Sequence, residues 1–566
     1  MKFKDMPYER PDVKALEGKI DEIVAKFKIA KSADEQISLI KKYEQEIGHF
    51  STMATLAEIR NTIDTRDKFY EDEAAFYDSY GPELSEKSNL FNKELLSSPF
   101  RKDLEERMGK VAFKNAEMEM KSFSPEIIPL MQEENKLRTE YTKVYAGAKI
   151  PFEGGVYTIA QLGKFKKSCD RDIRRKAVEA EGKFFDEHRK EFDEIYDKMV
   201  KNRDAQAKKL GFDNFVPLGY MRQQRNCYGV EEVANFRRQV LEDIVPVAKK
   251  LKEGQAERLG LDSLKLYDDD FHFSDGDPMP KGTPEEILAN GIQMYKEMSP
   301  ETKEFIEVME ENDLFDLIAK EGKAPGGYCT EIYDYKVPFI FSNFNGTDGD
   351  VEVLTHEAGH AFAAYEAFKN IEFACTMAPS LEACETHSMS MEFLTSPWHH
   401  LFFKEDTEKY ELAHAEKALS FIPYGTMVDY FQQLVYENPD WTPEERNETW
   451  EKLEQKFRPW IDRSGIPFYG RGAGWQRQLH IYQYPFYYLD YCLAQTNALK
   501  VFSLFLEDKE NAWKTYMGFL QIGGTKFFTE LCRENDLKCP IDSGCLKETI
   551  DKITPWLEEK QKEFKK

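Results

Sequence analysis

The sequence predicts a mainly α-helical protein, and three observations support this fold class. Residues 11–48 and 51–145 carry apolar side chains at spacings of three and four among many lysines and glutamates, a pattern typical of amphipathic helices. The second observation is that strand-like alternation breaks this helical pattern at two places in the chain and leaves the rest helical. Four hydroxyl residues stand directly before a proline, as at helix starts, where the hydroxyl caps the helix and proline takes the first helical position. They are Ser124, Thr283, Ser299 and Thr442.

The first break in the helical pattern follows the N-terminal helices. Residues 149–159 form two alternating runs around Gly154-Gly155, which predicts a small β-hairpin. We place a domain boundary here, with residues 1–150 as an N-terminal helical region and residues 151–566 as a catalytic region. No internal repeat or long low-complexity linker marks the boundary more sharply.

The second break is the stretch from Gly327 to Phe344. Tyr328, Thr330 and Ile332 alternate, and after a turn a second run follows from Val337 to Phe344. A strand here could pair its free edge with an extended peptide, or it could simply pack as a wall beside the next helix. The sequence leaves both alternatives open.

The next helix carries the strongest motif of the chain, His356-Glu357-x-x-His360, within a helix expected near residues 351–368. Residues four apart share a helix face, so both imidazoles can bind one zinc ion while Glu357 acts as a general base. With ten histidines in the chain, such a motif is expected by chance only ~0.02 times. Thr347 and Asp350 are spaced as a capping box at the start of this helix.

A catalytic zinc site usually has three protein ligands, so a further side chain is required. A second helix, expected near residues 380–395 with Ser380 as its N-cap, offers candidates. Spacing alone does not choose among them, although two of the glutamates lie seven apart on one face, so one could bind metal while the other holds a histidine. The candidates are Glu382, Glu385, His387 and Glu392.

The segment from Gly465 to Tyr491 is rich in glycine and tyrosine. Gly470-Arg471-Gly472-Ala473-Gly474 lacks the lysine and spacing of a phosphate loop, and a flexible flap fits better. Tyrosines at 484, 488 and 491 recur at four and three, which predicts one helical face. Phenols or an imidazole at this place could donate to the oxyanion that forms during peptide hydrolysis, whereas Tyr482 and Tyr487 fit an aromatic core better.

Composition limits the partners and the compartment. The chain has 78 Lys plus Arg against 103 Asp plus Glu, a net charge of −25 that argues against nucleic acid as a partner. Nine scattered cysteines without a C-x-x-C pair suggest a reducing compartment. We find no apolar stretch typical of a signal peptide or a membrane span, so we expect a cytoplasmic protein.

Taken together, these motifs resemble the thimet oligopeptidase family of zinc endopeptidases, most closely its oligoendopeptidase F and Pz-peptidase branch. The resemblance covers most of the chain, above all from about residue 140 onward. It is carried by the zinc motif with Glu385 29 residues beyond the first histidine, and by four further segments. These are Asn202–Phe212, Gly326–Cys329, Pro338–Thr347 and His480–Tyr488.

The resemblance implies a function and roles for individual residues. It implies one zinc ion per chain held by His356, His360 and Glu385, with Glu357 as the general base. It also implies transition-state donors, for which the best matches are His480, Tyr484 and Tyr491. Gly327, Tyr328 and Tyr488 are candidate substrate contacts, and Tyr488 is also the reserve donor.

The implied fold has two helical lobes flanking a deep channel that holds the zinc, with a small β-sheet beside the zinc helix. The implied function is hydrolysis of internal bonds in short peptides. Two alternatives remain: a helical H-E-x-x-H metallocarboxypeptidase that trims C-termini, and an inactive peptide-binding protein.

Overall fold

The computed structural model describes residues 1–564, with the side chains of residues 82 and 83 left out of the description. Helices dominate, as the sequence predicts. Within the described chain, no helix combines the length and the apolar character needed to cross a bilayer. The chain divides into two compact units, each made of three separate segments.

Unit 1 contains residues 1–120, 279–407 and 504–537. Its first helices bury apolar side chains such as Ile20, Phe27 and Leu56, because their apolar residues recur at helical spacing. The helices of this unit are α1 Val13–Ile29, α2 Ala33–Ile63, α3 Lys68–Leu96, α4 Arg101–Met108, α5 Lys110–Ser122, α13 Pro284–Met298, α14 Pro300–Glu311, α15 Asp348–Asn370, α16 Leu381–Leu394, α17 His399–Phe403, α22 Lys509–Gln521 and α23 Phe528–Glu534. Of these, α5 extends two residues past the end of the first segment.

A three-stranded sheet lies in unit 1 directly before α15. Its strands are β4 Phe315–Ile318, β5 Tyr328–Ile332 and β6 Val337–Phe344, in the spatial order β4-β6-β5. β5 pairs with β6 antiparallel, with Thr330 opposite Phe339, as the alternating pattern predicts. The sequence reading missed β4, which pairs with β6 in parallel, because its four residues carry too little pattern to be recognised.

Unit 2 contains residues 121–278, 408–503 and 538–566, of which 565 and 566 lie outside the described residues. The expected hairpin is present, with β1 Ile150–Phe152 antiparallel to β2 Gly155–Tyr157. A second pair was not predicted: β3 Leu264–Lys265 lies parallel to β7 Ile461–Asp462. The helices of unit 2 are α6 Ile128–Ala146, α7 Gly163–Lys166, α8 Arg171–Glu187, α9 Arg189–Lys209, α10 Phe215–Arg222, α11 Val230–Gln239, α12 Val245–Leu259, α18 Thr407–Glu437, α19 Pro443–Phe457, α20 Leu479–Gln483, α21 Tyr488–Glu507 and α24 Cys545–Glu563. Of these, α18 begins one residue before the unit's second segment and α21 ends four residues beyond it.

The predicted hydroxyl–proline helix starts are confirmed. Thr283, Ser299 and Thr442 each accept a hydrogen bond from a backbone N–H in the first turn of α13, α14 and α19, and proline follows each of them. Ser124 caps a short 3₁₀ turn that leads into α6. These local signals are reliable because a cap satisfies N–H groups that the helix itself cannot.

Candidate active site

The H-E-x-x-H motif lies in the middle of α15, which follows β6 after a tight turn. The capping box predicted between Thr347 and Asp350 is wrong, because the Thr347 side chain makes no capping bond. The Asp350 carboxylate instead accepts hydrogen bonds from the backbone N–H groups of Asn345 and Gly346 at 2.7–3.1 Å. The Asp350 side chain therefore stabilises the turn that precedes α15 and takes no part in a capping box.

His356 and His360 project from one face of α15 with their ring centroids 4.9 Å apart. The two Nε2 atoms approach the same oxygen, Oε2 of Glu385, at 3.2 Å and 3.5 Å. Ligand atoms of these three side chains all lie within 4.8 Å of one another. The structure thus brings together three groups that local sequence spacing could not connect.

Close packing of α15 against α16 allows Glu385 to reach the histidines. A Cβ placed on Gly359 would lie 2.6 Å from Cα of Ser388 and 3.0 Å from the carbonyl oxygen of His387. Any larger residue at position 359 would push the two helices apart, since both neighbouring atoms belong to the backbone. The glycine inside the motif is therefore the sequence feature that permits this approach.

Glu392, two turns after Glu385 on α16, holds the other side of the first histidine. Nδ1 of His356 lies 2.7 Å from Oε1 of Glu392, so the ring donates to that carboxylate. A second partner of this kind fixes the ring orientation and leaves Nε2 directed at the metal position. Of the remaining candidates, Glu382 and His387 are buried and lie outside the group of three.

His356 and Glu385 shift each other's pKa values, because a positive imidazole and a negative carboxylate stabilise each other. Burial lowers the pKa of His356, but hydrogen bonds to Glu385 and Glu392 outweigh it and raise the pKa well above its ordinary value. Burial opposes ionisation of Glu385, yet the two histidines hold its pKa well below the usual range. A divalent cation would take over the role of the protons that balance these carboxylates.

The donor set fits a zinc ion. Zinc binds imidazole nitrogen and carboxylate oxygen, and catalytic sites often combine two histidines with one glutamate. The convergence of two Nε2 atoms and one carboxylate oxygen supplies those three donors. Among the described residues, His356, His360 and Glu385 form the group of histidine, cysteine, aspartate and glutamate side chains able to hold a metal ion.

Glu357 lies between the histidines along α15 and contacts the edge strand. Burial raises the pKa of its carboxyl group, and the backbone N–H of Cys329 donates a hydrogen bond to it. This bond from β5 was not foreseen, because nothing in the local sequence connects residues 329 and 357. It gives the Glu357 side chain a fixed partner on the sheet.

The predicted substrate contacts Gly327 and Tyr328 lie at the start of β5. The Tyr328 ring stacks on Phe341 with centroids 4.9 Å apart, and its hydroxyl is 2.6 Å from Oγ1 of Thr62. The Tyr328 hydroxyl thus has a hydrogen-bond partner within unit 1.

His480 and its neighbouring tyrosines form a compact cluster in unit 2. The His480 ring lies 4.8 Å from the Tyr488 ring and 6.0 Å from those of Tyr487 and Tyr491. Gln478 contacts Nδ1 of His480 at 3.0 Å, and burial raises the pKa of Tyr488. Sequence reasoning missed Gln478, which no motif marks.

The prediction that Tyr484, Tyr488 and Tyr491 share one helical face is wrong. Tyr484 directly follows α20, whereas the other two lie on α21, because Pro485 and a left-handed Phe486 interrupt the chain between them. Tyr484 is 54% exposed, and its ring lies beneath the guanidinium of Arg138. Tyr484 therefore shares no helix with Tyr488 and Tyr491, although its ring lies 6.2 Å from the His480 ring.

The predicted glycine flap at residues 470–474 is also wrong. Ala473 and Trp475 are fully buried, and a Cβ on Gly472 would lie 2.4 Å from the carbonyl oxygen of Asn447. Here glycine serves close packing against α19. In a sequence, a short run of glycines can indicate either close packing of the backbone or a flexible segment, because the absence of a side chain favours both.

Comparison with known proteins gives consistent matches. The family model described as Peptidase family M3 matches residues 164–549, and that of the Peptidase M3 N-terminal domain matches residues 3–123. A solved structure of a Pz peptidase A with an inhibitor is 50% identical, with a TM-score of 0.93 over 99% of this chain and 100% of that one. A structure assigned as an oligoendopeptidase F from Bacillus anthracis strain Ames is 44% identical, with a TM-score of 0.88 over 99% and 98%.

A curated relative gives a shorter match. An oligoendopeptidase F homolog from Borreliella burgdorferi is 27% identical over 223 residues. The aligned stretch covers 38% of this chain and 36% of the relative, so it spans about a third of that protein's length.

Proposed function

Because this chain belongs to peptidase family M3, we propose that it is a zinc-dependent endopeptidase that hydrolyses internal bonds of short peptides. One observation carries the proposal: two imidazole nitrogens from α15 and one carboxylate oxygen from α16 converge, with Glu357 between the histidines. Zinc bound by these residues would polarise the peptide carbonyl and acidify a water molecule. The restriction to short peptides rests on the family resemblance.

Glu357 is proposed as the general base and later the general acid. Its pKa is raised by burial, which brings the carboxyl group closer to the working pH and favours proton transfer in both directions. The carboxylate takes a proton from the attacking water and passes it to the leaving amine nitrogen. The hydrogen bond from the Cys329 N–H orients the carboxylate for these transfers.

His480 and the tyrosines are proposed as donors to the oxyanion, the carbonyl oxygen that becomes negatively charged when water attacks the carbonyl carbon. A phenol or imidazole donor stabilises this charge more than it stabilises the neutral substrate, so it lowers the barrier. Tyr488 and Tyr491 share α21 and flank His480, which supports these two phenols. Tyr484 and Tyr491 are the tyrosines that the resemblance implies as donors, and the Tyr484 ring, 54% exposed, lies 6.2 Å from the His480 ring.

Peptide substrate is proposed to pair with β5. This strand lies at the edge of its sheet, because β6 occupies the middle position. An extended peptide could add a further strand there through main-chain hydrogen bonds, which are independent of side-chain identity. The alternative, that β5 serves only as a packed wall, is supported by the engaged Tyr328 side chain.

The test is incubation of the purified protein with a mixed peptide library, read by mass spectrometry, before and after removal of metal by a chelator. We expect new termini inside the peptides, loss of cleavage on chelation and recovery on adding zinc. Glu357→Gln should retain zinc but lose at least about 100-fold in kcat, since a general base contributes that much. Glu372→Gln changes an exposed glutamate two residues beyond α15 and should leave cleavage unchanged.

The results distinguish the alternatives. Stepwise loss of single C-terminal residues would indicate a metallocarboxypeptidase. Zinc-loaded protein that binds peptides without cleaving them would indicate an inactive peptide-binding protein. Near-normal turnover by Glu357→Gln would contradict the assignment of the base.

A further inference from the structure

The turn between α20 and α21 contains a backbone conformation that its residue type disfavours. Phe486 has a φ of +71°, in the left-handed region where a bulky residue is an outlier. Such a conformation is unfavourable for a bulky residue and persists only where the surroundings enforce it. The turn directly precedes Tyr488, the first residue of α21.

Three buried polar side chains hold the backbone of this turn. Nε2 of Gln223 donates to the carbonyl oxygen of Pro485 at 2.9 Å, and Nη2 of Arg225 donates to that of Phe486 at 2.6 Å. The Phe486 N–H donates to Oε1 of Gln432 at 3.0 Å. All three side chains are at least nine-tenths buried, so water cannot readily replace these bonds.

The ring of Phe486 is held as firmly as its backbone. It is fully buried against Tyr220 and Tyr436, with ring centroids 5.3 Å and 5.5 Å away. A Cβ on Gly219 would lie 2.6 Å from this ring, so the glycine of α10 leaves the space that the ring fills. Backbone and side chain of Phe486 are thus both fixed by the end of α10 and by α18.

Arg225 extends this support into the first turn of α21. Its Nε lies 3.6 Å from Oδ1 of Asp490, and its Nη2 lies 3.7 Å from Oδ1 of Asp429. Both carboxylates are fully buried, and the Tyr228 hydroxyl donates to Asp490 at 3.3 Å. Asp490 lies between Tyr488 and Tyr491, so the guanidinium links the turn to the segment that carries these tyrosines.

We propose that Gln223, Arg225 and Gln432 are positioning residues for the phenols of Tyr488 and Tyr491. The inference rests on the proposed donor role of these tyrosines. The Phe486 φ angle sets the direction in which α21 begins, and a small rotation there is amplified at a hydroxyl at the far end of a ring. Misplacement of a reacting group by ~1 Å can cost ~100-fold in rate.

A double-mutant cycle tests the proposal. Gln432→Met removes the acceptor for the Phe486 N–H with little change in volume. We expect kcat to fall between about tenfold and 100-fold, with KM nearly unchanged and zinc content unaffected. In a Tyr488→Phe/Tyr491→Phe background, the same substitution should lower kcat no further, because the groups it positions are absent.

Gln561→Met is the matched control. Gln561 is a buried glutamine of the same unit whose Nε2 donates to the carbonyl oxygen of Leu251 at 3.0 Å and to Glu416. Gln561→Met removes a buried bond donated to a backbone carbonyl, as Gln223→Met does, but outside the tyrosine segment. It should therefore lower the melting temperature but leave kcat near normal. Gln223→Met, carried through the same cycle, gives a second test where Gln432→Met folds poorly.

Two results would overturn the inference while the donor role survives. One is an unchanged kcat in Gln432→Met and Gln223→Met although Tyr488→Phe/Tyr491→Phe is impaired. The other is an equal loss of kcat in the wild-type and double-tyrosine backgrounds, which would show that these residues act through something else. An unimpaired Tyr488→Phe/Tyr491→Phe variant would instead contradict the donor role and the inference together.

Discussion

At the scale of single residues, the candidate metal group depends on the different partners of the two ring nitrogens of His356. His356 directs Nε2 towards Glu385 and Nδ1 towards Glu392. The two glutamates lie seven residues apart on α16, so one helix supplies both the proposed ligand and the group that orients a ligand. This division gives the two carboxylates different roles although both contact the same ring.

The proposed ligand assignment predicts distinct metal content in three variants. Glu385→Ala should lose the stoichiometric zinc, because it removes one of three donors. Glu392→Gln should keep the site but bind zinc about 10–100-fold more weakly, as is typical when a ligand loses its orienting partner. Glu382→Gln, on the same helix, is the control and should bind normally. Metal analysis would contradict the assignment if Glu385→Ala kept its zinc and Glu382→Gln lost it.

At the scale of elements, the site depends on the close approach of α15 and α16. Gly359 is the contact point, where a side chain would meet the backbone of residues 387 and 388. Helix packing is dense enough that even one methyl group displaces its neighbours. The distance between Glu385 and the imidazoles is therefore set by a glycine that is not one of the three residues of the candidate metal group.

We predict that Gly359→Ala destabilises the fold by about 1–3 kcal/mol, the usual cost of overpacking, and weakens zinc binding. Gly349→Ala provides a control within the same helix. Its added Cβ would meet only Oγ1 of Thr347, at 3.4 Å, so it should be neutral or stabilise by up to about 1 kcal/mol. Urea denaturation and zinc titration measure both effects. Equal zinc affinity in the two variants would show that the helix spacing does not control the site.

At the scale of the whole molecule, distant chain segments are joined by buried ion pairs. Glu416 of α18 accepts hydrogen bonds from Arg258 at 2.9 Å, His272 at 3.0 Å and Gln561 at 2.6 Å. Burial raises the pKa of this carboxyl group, but His272 and Arg258 outweigh it and lower the pKa to about 2. One carboxylate thus connects α12, the following loop, α18 and α24 within unit 2.

This arrangement predicts that acid destabilises the protein. A carboxyl group whose pKa is lowered by folding stabilises the fold above its unfolded pKa, and the effect is lost as pH falls towards the folded pKa. For Glu416, with an ordinary value of 4.5, the full effect amounts to about 3 kcal/mol. Urea denaturation should therefore show a lower free energy of unfolding at pH 3 than at pH 6.

Glu416→Gln assigns the share that belongs to this group. The variant should be less stable than the wild type at pH 6, and its loss between pH 6 and pH 3 should be smaller. Glu126→Gln, which changes an exposed carboxylate, is the control and should follow the wild type at both pH values. An equally steep loss in Glu416→Gln would show that other groups cause the acid sensitivity.

The two compact units show why the domain boundary was hard to read from the sequence. The sequence analysis places a boundary near residue 150, and this stays a prediction. Each unit is assembled from three segments separated by long stretches of chain. Composition and linkers report on neighbours in sequence, whereas such units are defined by contacts between distant residues.

By itself the sequence determined the features that depend on near neighbours. Helical spacing predicted the mainly α-helical fold, hydroxyl–proline pairs predicted helix starts, and alternation predicted β1, β2, β5 and β6. The same local rule predicted that His356 and His360 share one face of a helix. These predictions succeeded because caps, turns and helix faces are set within a few residues.

Only the tertiary structure decided which distant groups meet. Spacing left four candidates on α16, and packing at Gly359 brought Glu385 to the two imidazoles and Glu392 to the other side of His356. It also placed Phe486 in a left-handed turn held by side chains more than 50 and more than 250 residues away in sequence. The physical reason is that such contacts arise from the packing of whole elements, which no local pattern of residues encodes.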